Sequence, residues 1–245
     1  MFPIREFKGR FGLTAHVILM GPQGSGKGTQ SERVRAKLNL MSVATGELFR
    51  SAINGNTVLG QQIKAIYDRG ELAPDDLTVA LVEERLDKMA ATSGANARLG
   101  GALYDGFPRT AAQADALDRM LVGRGQAITV VIAIEVPRNK LIDRLAGRRV
   151  CSVCGRVYNV VSDPPQIDGL CDVDGGELMQ RADDTPDGVA KRLDLYDIET
   201  APLADRYRER GLLVRIDGDR PIDEVTDAIV SVVQNQLAAV APGSS

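Results

Sequence analysis

The run His16-Val-Ile-Leu-Met-Gly21-Pro-Gln-Gly24-Ser25-Gly26-Lys27-Gly28-Thr29 holds the residue types of a polyphosphate cradle. A β-branched, apolar stretch runs into four glycines around one lysine, and a helix-forming stretch, Gln30 to Leu38, follows at once. Glycines let successive backbone N–H groups turn inward without a Cβ in the way. The following helix N-terminus adds the positive end of its dipole, and Lys27 reaches the terminal phosphates as a point charge. A nucleoside triphosphate is the expected ligand. The spacing Gly21-x4-Gly26-Lys27 fits the phosphate-loop rule as a variant, because Gly28 stands in the usual Ser/Thr place and Thr29 comes one later. The bland alternative is a plain glycine-rich turn between strand and helix. Strand, lysine and helix together favour phosphate binding.

A second constellation is Cys151-x2-Cys154, sixteen intervening residues, then Cys171-x2-Asp174. Two ligand pairs at knuckle spacing match a tetrahedral zinc site with Asp174 where a fourth cysteine is commoner. Four protein ligands leave no open position, so the metal is expected to be structural, pinning a segment too poor in apolar residues to hold itself together. The competing reading is three cysteines packed as small hydrophobes. A nucleic-acid-binding zinc ribbon fits less well, since the segment is more acidic than basic.

The third is Tyr104-Asp105-Gly106-Phe107-Pro108-Arg109-Thr110-x2-Gln113. Asp105 ends a predicted strand, where ligands of open α/β sheets collect, and is either a holder of the Mg²⁺ water shell or a strand-end turn former. Arg109 offers a planar fork to a phosphate. Gln113 either reads a nucleobase edge or completes a capping box with Thr110. Arg50, Arg109, Arg144, Arg148, Arg181 and Arg192 recur along the chain. Singly, arginines are usually solvated; together, with Arg144 and Arg148 one helical turn apart entering the cysteine segment and Arg181 and Arg192 leaving it, they suit phosphoryl transfer.

These groups need a scaffold. Strands are expected at Val17–Met20, Met41–Val43, Ala102–Tyr104, Ile128–Ile134 and Leu212–Ile216. Helices are expected at Gly46–Asn54, Leu59–Asp68, Asp76–Met89, Ala111–Leu121, Asp187–Arg210 and Ile222–Leu237. Pro74 with Asp75, and Thr110 with Gln113, give start signals for two of them. The alternation predicts an α/β fold with a five-stranded parallel sheet covered on both faces. Ala91–Gly101 reads as a surface loop, and Cys151 to about Asp184 as an inserted subdomain without helical period.

With 245 residues and 44% apolar content, the chain can bury a sizeable core. A net charge of −3 disfavours broad nucleic-acid binding. The longest apolar run, 127–134, is too short to span a bilayer. The first residues lack the apolar core of a secretory signal, and three cysteines point to a reducing compartment. A cytoplasmic monomer without nucleic-acid or membrane partners is expected.

The segments Gly21-Pro-Gln-Gly-Ser-Gly-Lys-Gly-Thr-Gln30, Ala44-Thr-Gly-Glu-Leu-Phe-Arg50, Asp105-Gly-Phe-Pro-Arg-Thr110, Gly147-Arg-Arg-Val-Cys151, Gln180-Arg-Ala-Asp-Asp184 and Thr200-Ala-Pro-Leu203 occur in one collinear order. Together they resemble the adenylate kinases, nucleoside monophosphate kinases, in the long bacterial form with a zinc-bearing lid. The resemblance covers about residues 15–238. It implies a P-loop kinase core (15–43, 74–146 and 186–238), a helical monophosphate-binding arm (44–73) and a small β lid (147–185), with an extension at 1–14 and a flexible tail at 239–245. The implied reaction is ATP + AMP ⇌ 2 ADP with Mg²⁺.

By the same resemblance, Gly24, Ser25, Gly26, Lys27, Gly28, Thr29, Arg144 and Arg148 bind ATP. Thr45, Arg50, Gly106, Arg109, Gln113, Arg181 and Arg192 hold AMP, with Gln113 reading the adenine. Lys27, Arg109, Arg144, Arg148, Arg181 and Arg192 serve the transferring group, Asp105 supports the magnesium shell, and Asp183 and Asp184 steer lid residues. Cys151, Cys154, Cys171 and Asp174 hold the zinc. Two departures stand out: Gln23 replaces a usual proline, removing no phosphate donor, and Glu47 stands where Asp is common. A hinged lid suits the chemistry, because water would otherwise compete with AMP. The rivals are a kinase of another monophosphate or with GTP as donor, and a non-catalytic nucleotide sensor.

Overall fold

The computed structural model describes residues 14–55, 61, 64, 66, 73–92, 101–180 and 184–240. In chain order its elements begin with β1 (His16–Met20), α1 (Lys27–Leu38), β2 (Met41–Ala44), α2 (Thr45–Asn54) and α3 (Asp75–Thr92). Next come β3 (Ala102–Asp105), α4 (Ala111–Gly123), β4 (Val130–Glu135) and α5 (Arg138–Ala146). Three short strands follow, β5 (Arg148–Cys151), β6 (Val157–Asn159) and β7 (Leu178–Met179). The chain ends through α6 (Pro186–Leu195), a π-helical turn (Tyr196–Thr200), α7 (Leu203–Glu209), β8 (Leu213–Asp217) and α8 (Ile222–Val240).

Five strands form one parallel sheet in the order β2-β3-β1-β4-β8. Parallel strands linked by helices are covered on both faces, which is why Val17–Met20 of β1 and Val130–Ile134 of β4 are continuous apolar runs. Ile18, Met20, Tyr104 and Val131 share one buried cluster with Val82 of α3, Leu117 of α4 and Tyr207 of α7. Val17, Leu19, Val130 and Ile132 share the other with Val34 of α1 and Ile229 and Val233 of α8. β1 is the central strand, paired with β3 and β4, so its carboxyl end delivers the glycine loop from the most constrained part of the molecule. A second, three-stranded antiparallel sheet, β6-β5-β7, forms within the expected lid.

All five core strands fall within two residues of expectation, but four expectations change. The helix expected over 187–210 is three pieces, because Pro202 lacks a backbone donor and the chain widens into a π turn ahead of it. α5 occupies a stretch assigned no helix, where Leu141 and Leu145, one turn apart, pack on Val189 and Leu193 of α6. Arg148 opens β5, so Arg144 and Arg148 do not share a helix face as expected. Residues 239 and 240 continue α8 instead of beginning a flexible tail. Most of the 59–68 helix, residues 1–13 of the extension, loop residues 93–100, and residues 241–245 lie outside the described residues, as do Arg181 and Asp183.

Candidate active site and metal centre

After Met20 the chain turns through Gly21 (φ 148°), Gly24 (φ 85°) and Gly26 (φ 94°), the last being the N-cap of α1. A Cβ at Gly21 would come within 2.7 Å of the Ile134 carbonyl oxygen, so only glycine fits there. No side chain caps α1 and no acid lies in its first turn, which leaves the first amides of the helix to an anion. The Ser25 hydroxyl is buried with no hydrogen-bond partner among the described residues. The Ser25 N–H donates to the Pro22 carbonyl at 3.2 Å, so the turn closes with Gln23 in the usual proline position.

Lys27 donates from Nζ to the carbonyls of Gly21 (2.6 Å) and Pro22 (2.9 Å). Removal from water draws its pKa down to about 8; Asp105 opposes that shift, and Arg109 and Arg148 reinforce it. A Cβ on Gly28 would lie 3.9 Å from Asp105 Oδ2, so the carboxylate ending β3 stands beside the loop. Thr29 follows, half-buried in the first turn of α1.

A second group gathers at the ends of β2 and β3. Thr45 opens α2 and donates from Oγ1 to the Gly106 carbonyl at 2.9 Å, and Arg109 donates from Nε to the same oxygen at 2.8 Å. A Cβ on Gly106 (φ 75°) would meet Arg109 Nη2 at 2.9 Å and Thr45 Oγ1 at 3.0 Å. Arg50, half-buried on α2, folds back toward Gly46. The π turn is tied in as well, since Thr200 Oγ1 donates to the Arg109 carbonyl at 3.0 Å. Half of the capping box forms: Thr110 Oγ1 accepts from the Gln113 N–H at 3.2 Å. The Gln113 side chain accepts instead from the Arg109 N–H at 2.8 Å, and its Nε2 donates to Asp75.

The third group closes over α5 and α6. The Asp184 side chain is fully buried. It accepts from Arg148 Nε at 2.8 Å and Arg192 Nη2 at 2.6 Å, and also pairs with Arg148 Nη2. Burial alone would raise its pKa, but the two guanidiniums outweigh that and hold it below the usual carboxylate range. Arg144 is not part of this cluster. Both of its terminal nitrogens donate to the Gly218 carbonyl at 3.0 Å, and one reaches Asp219 at 3.2 Å, so it fastens α5 to the turn after β8. A Cβ on Gly24 would meet the Leu141 carbonyl at 3.0 Å, so α5 lies against the phosphate loop.

In the smaller sheet, one donor atom each from Cys151, Cys154, Cys171 and Asp174 lie within 4.8 Å of one another. The N–H groups of Val153 and Cys154 donate to Cys151 Sγ at 3.3 and 3.4 Å, and the Tyr158 hydroxyl lies 3.4 Å from Cys171 Sγ. Such bonds orient sulfur ligands. Hydrogen bonding with the Asp174 carboxylate pushes the Cys154 thiol up to about 12, and draws the carboxylate down to about 2. Three sulfurs and one oxygen, crowded and oriented in this way, fit a tetrahedral metal ion.

The sequence therefore signalled the loop, the turn after β3, and the metal ligands. It signalled Asp184 only through the resemblance. Asp75 was visible only as a helix start, since nothing local shows that its carboxylate reaches α4.

A family model described as adenylate kinase matches residues 19–212. The chain is 46% identical to the adenylate kinase of Carboxydothermus hydrogenoformans over 218 residues, covering 89% of this chain and 99% of that protein. It is 48% identical to that of Moorella thermoacetica over 213 residues, covering 87% and 95%. The adenylate kinase of Staphylococcus epidermidis is 42% identical over 220 residues, covering 90% and 99%.

Proposed function

The chain belongs to the adenylate kinase family, and from that premise we propose how its own residues perform the reversible transfer of a phosphoryl group from ATP to AMP. One observation carries the assignment. The glycine loop with Lys27, the Asp105–Arg109 turn and the Arg148–Asp184–Arg192 cluster come from four separate stretches of chain, and Lys27 feels the charges of Asp105, Arg109 and Arg148 together.

The loop amides of Gly24, Ser25, Gly26, Gly28 and Thr29 receive the ATP phosphates, and Lys27 exchanges its two carbonyl partners for phosphate oxygens. Thr45, Arg50, Gly106 and Arg109 hold the AMP phosphate, with Gln113 at its base. Arg148 and Arg192, aligned by one buried carboxylate, neutralise charge on the moving phosphoryl group, and Arg181 joins them by its place in the motif. Transfer through a loose transition state needs this positioning and charge cancellation more than a protein base. Arg144 walls the ATP side by clamping the turn after β8 to α5.

Mg²⁺ bound with the nucleotide supplies further charge neutralisation, and Asp105, beside the loop, would hold its water shell. Cys151, Cys154, Cys171 and Asp174 would hold a structural zinc ion. Closure of 147–185 over the loop, as a lid to the core and the 44–73 arm, would exclude competing water. A cytoplasmic monomer with nucleotide partners alone completes this reading. Its supports are the net charge of −3, the odd number of cysteines, and the lack, among the described residues, of a helix long and apolar enough to cross a membrane.

The test is a coupled assay of ADP formation from Mg·ATP with AMP, UMP, CMP and GMP offered separately, for the native protein and Lys27→Ala. Turnover with AMP alone, abolished in the variant, is expected. Preference for another monophosphate would overturn the role given to Gln113, and no turnover with any acceptor would overturn the assignment.

A further inference from the structure

Gln113 lies in the first turn of α4 with 2% of its surface exposed, so water competes weakly for its amide. That amide has two N–H donors and a carbonyl with two lone pairs. One lone pair accepts from the Arg109 backbone N–H at 2.8 Å, and one N–H goes to Asp75 Oδ1 at 2.7 Å. The second Asp75 oxygen accepts from Thr110 Oγ1 at 2.9 Å, and that hydroxyl oxygen accepts the Gln113 N–H at 3.2 Å. The carboxylate is thus held by one residue and holds another.

A backbone N–H can only donate, and a carboxylate can only accept. Turning the Gln113 amide over would set N–H against N–H and carbonyl against carboxylate, leaving two buried groups unmade. The amide therefore has one orientation. One N–H and one lone pair of the same planar group carry no hydrogen bond among the described residues.

We propose that Asp75 is a specificity-determining positioning residue: by fixing the sense of the Gln113 amide jointly with the Arg109 backbone N–H, it makes the remaining donor and acceptor a one-way edge that takes a 6-aminopurine monophosphate and refuses a 6-oxopurine one. The proposal rests on the reading of Gln113 as the contact to the acceptor base. A 6-aminopurine presents an acceptor at ring N1 beside a donor at the exocyclic amine. A 6-oxopurine presents a donor at N1 beside an acceptor oxygen. An amide free to turn satisfies either base, whereas an amide locked by Asp75 meets the second with donor against donor and acceptor against acceptor. Discrimination between near-isosteric ligands is strongest where the wrong one leaves buried polar groups unpaired.

The experiment measures kcat and KM for AMP and for inosine monophosphate, with Mg·ATP as donor, in the full-length native protein and in Asp75→Asn, Asp75→Ser, Asp75→Glu and Gln113→Met. Asparagine and serine can donate as well as accept, so both variants remove the half of the lock that Asp75 supplies and leave only the Arg109 N–H to oppose a turned amide. Each is expected to lower the AMP-to-inosine-monophosphate ratio of kcat/KM at least tenfold, mainly through KM, with KM for ATP unchanged. Asp75→Glu restores an acceptor-only group and is expected to recover part of the ratio. Asp75→Ser decides the matter should Asp75→Asn not fold. Proportional loss of both substrates, with the ratio unchanged, would show a structural role and overturn the proposal. A ratio lost in Gln113→Met but kept in both Asp75 variants would overturn the proposal alone. A ratio kept in Gln113→Met would remove the reading of Gln113, and the proposal with it.

Discussion

His16 is the only histidine in the chain, which makes it a clean probe of the strand that carries the phosphate loop. It opens β1 with 2% of its surface exposed. Nδ1 lies 2.9 Å from the Tyr104 hydroxyl and Nε2 lies 3.1 Å from Gln126 Oε1. The amide oxygen accepts, so Nε2 bears the proton of the neutral ring, and Nδ1 accepts from Tyr104. Burial lowers the pKa to about 4; the Gln126 hydrogen bond opposes that shift and the Arg124 charge reinforces it. The charged form is therefore disfavoured in the fold, and the unfolded chain takes up the proton first. Stability from this group is complete above the unfolded value of 6.5 and is lost as pH falls toward about 4. At about 1.4 kcal/mol per pH unit, the loss across that window is about 3 kcal/mol. Urea unfolding of the native protein and of His16→Gln from pH 4 to 8 isolates it. The difference in stability between the two is expected to be level above 6.5 and to shrink on acidification. An imidazole resonance titrating near 6.5 in the folded protein, or a difference curve level down to pH 4, would refute the reasoning.

Asp184→Asn leaves two guanidiniums without their shared buried carboxylate, and should cost about 3–5 kcal/mol of stability. The same change should lower kcat about a hundredfold with AMP, because Arg148 and Arg192 lose their alignment; turnover within threefold of native would count against that role. Chelation with verified metal loss should lower the thermal midpoint by about 5 °C or more while the far-ultraviolet signal of the core persists. The cause is that two of the three buried residues in the smaller sheet's cluster, Cys151 and Cys171, are themselves candidate ligands; an unchanged melting curve would defeat the metal reading. Lys27, with its pKa near 8, should become fully protonated when phosphates bind. Calorimetry of ATP-analogue binding at pH 8.5 in buffers of differing ionisation enthalpy should then show proton uptake that is absent in Lys27→Met.

The sheet was legible because its central strands β1, β3 and β4 are short, mostly apolar runs that end at or near glycine or proline, and parallel strands buried on both faces leave that mark. The loop was legible because its glycines serve backbone geometry that no other residue supplies. α5 was not, since its nine residues include only three apolar side chains besides Ala146 within a charged stretch, and the packing of Leu141 and Leu145 depends on α6, which starts 48 positions further along the chain. The break at 196–200 was signalled by Pro202 but outweighed by helical patterning on either side. Site residues acting through other residues were the least visible. Asp75 and Gln113 are 38 positions apart, and Arg148 and Asp184 are 36 apart. Such pairs follow from how α3 packs on α4 and how the smaller sheet closes on α6, not from local spacing.

In holding the Gly21 and Pro22 carbonyls, Lys27 also gives the loop a filter against the small anions of its surroundings. Two of the three Lys27 ammonium donors are already used, so an anion gains them only in exchange for bonds already made. A single chloride ion repays little of that exchange, whereas a polyphosphate tail offers oxygens to the lysine and to the row of loop amides at once. The carbonyl bonds of the lysine therefore weight the loop toward ligands of high charge and many oxygens.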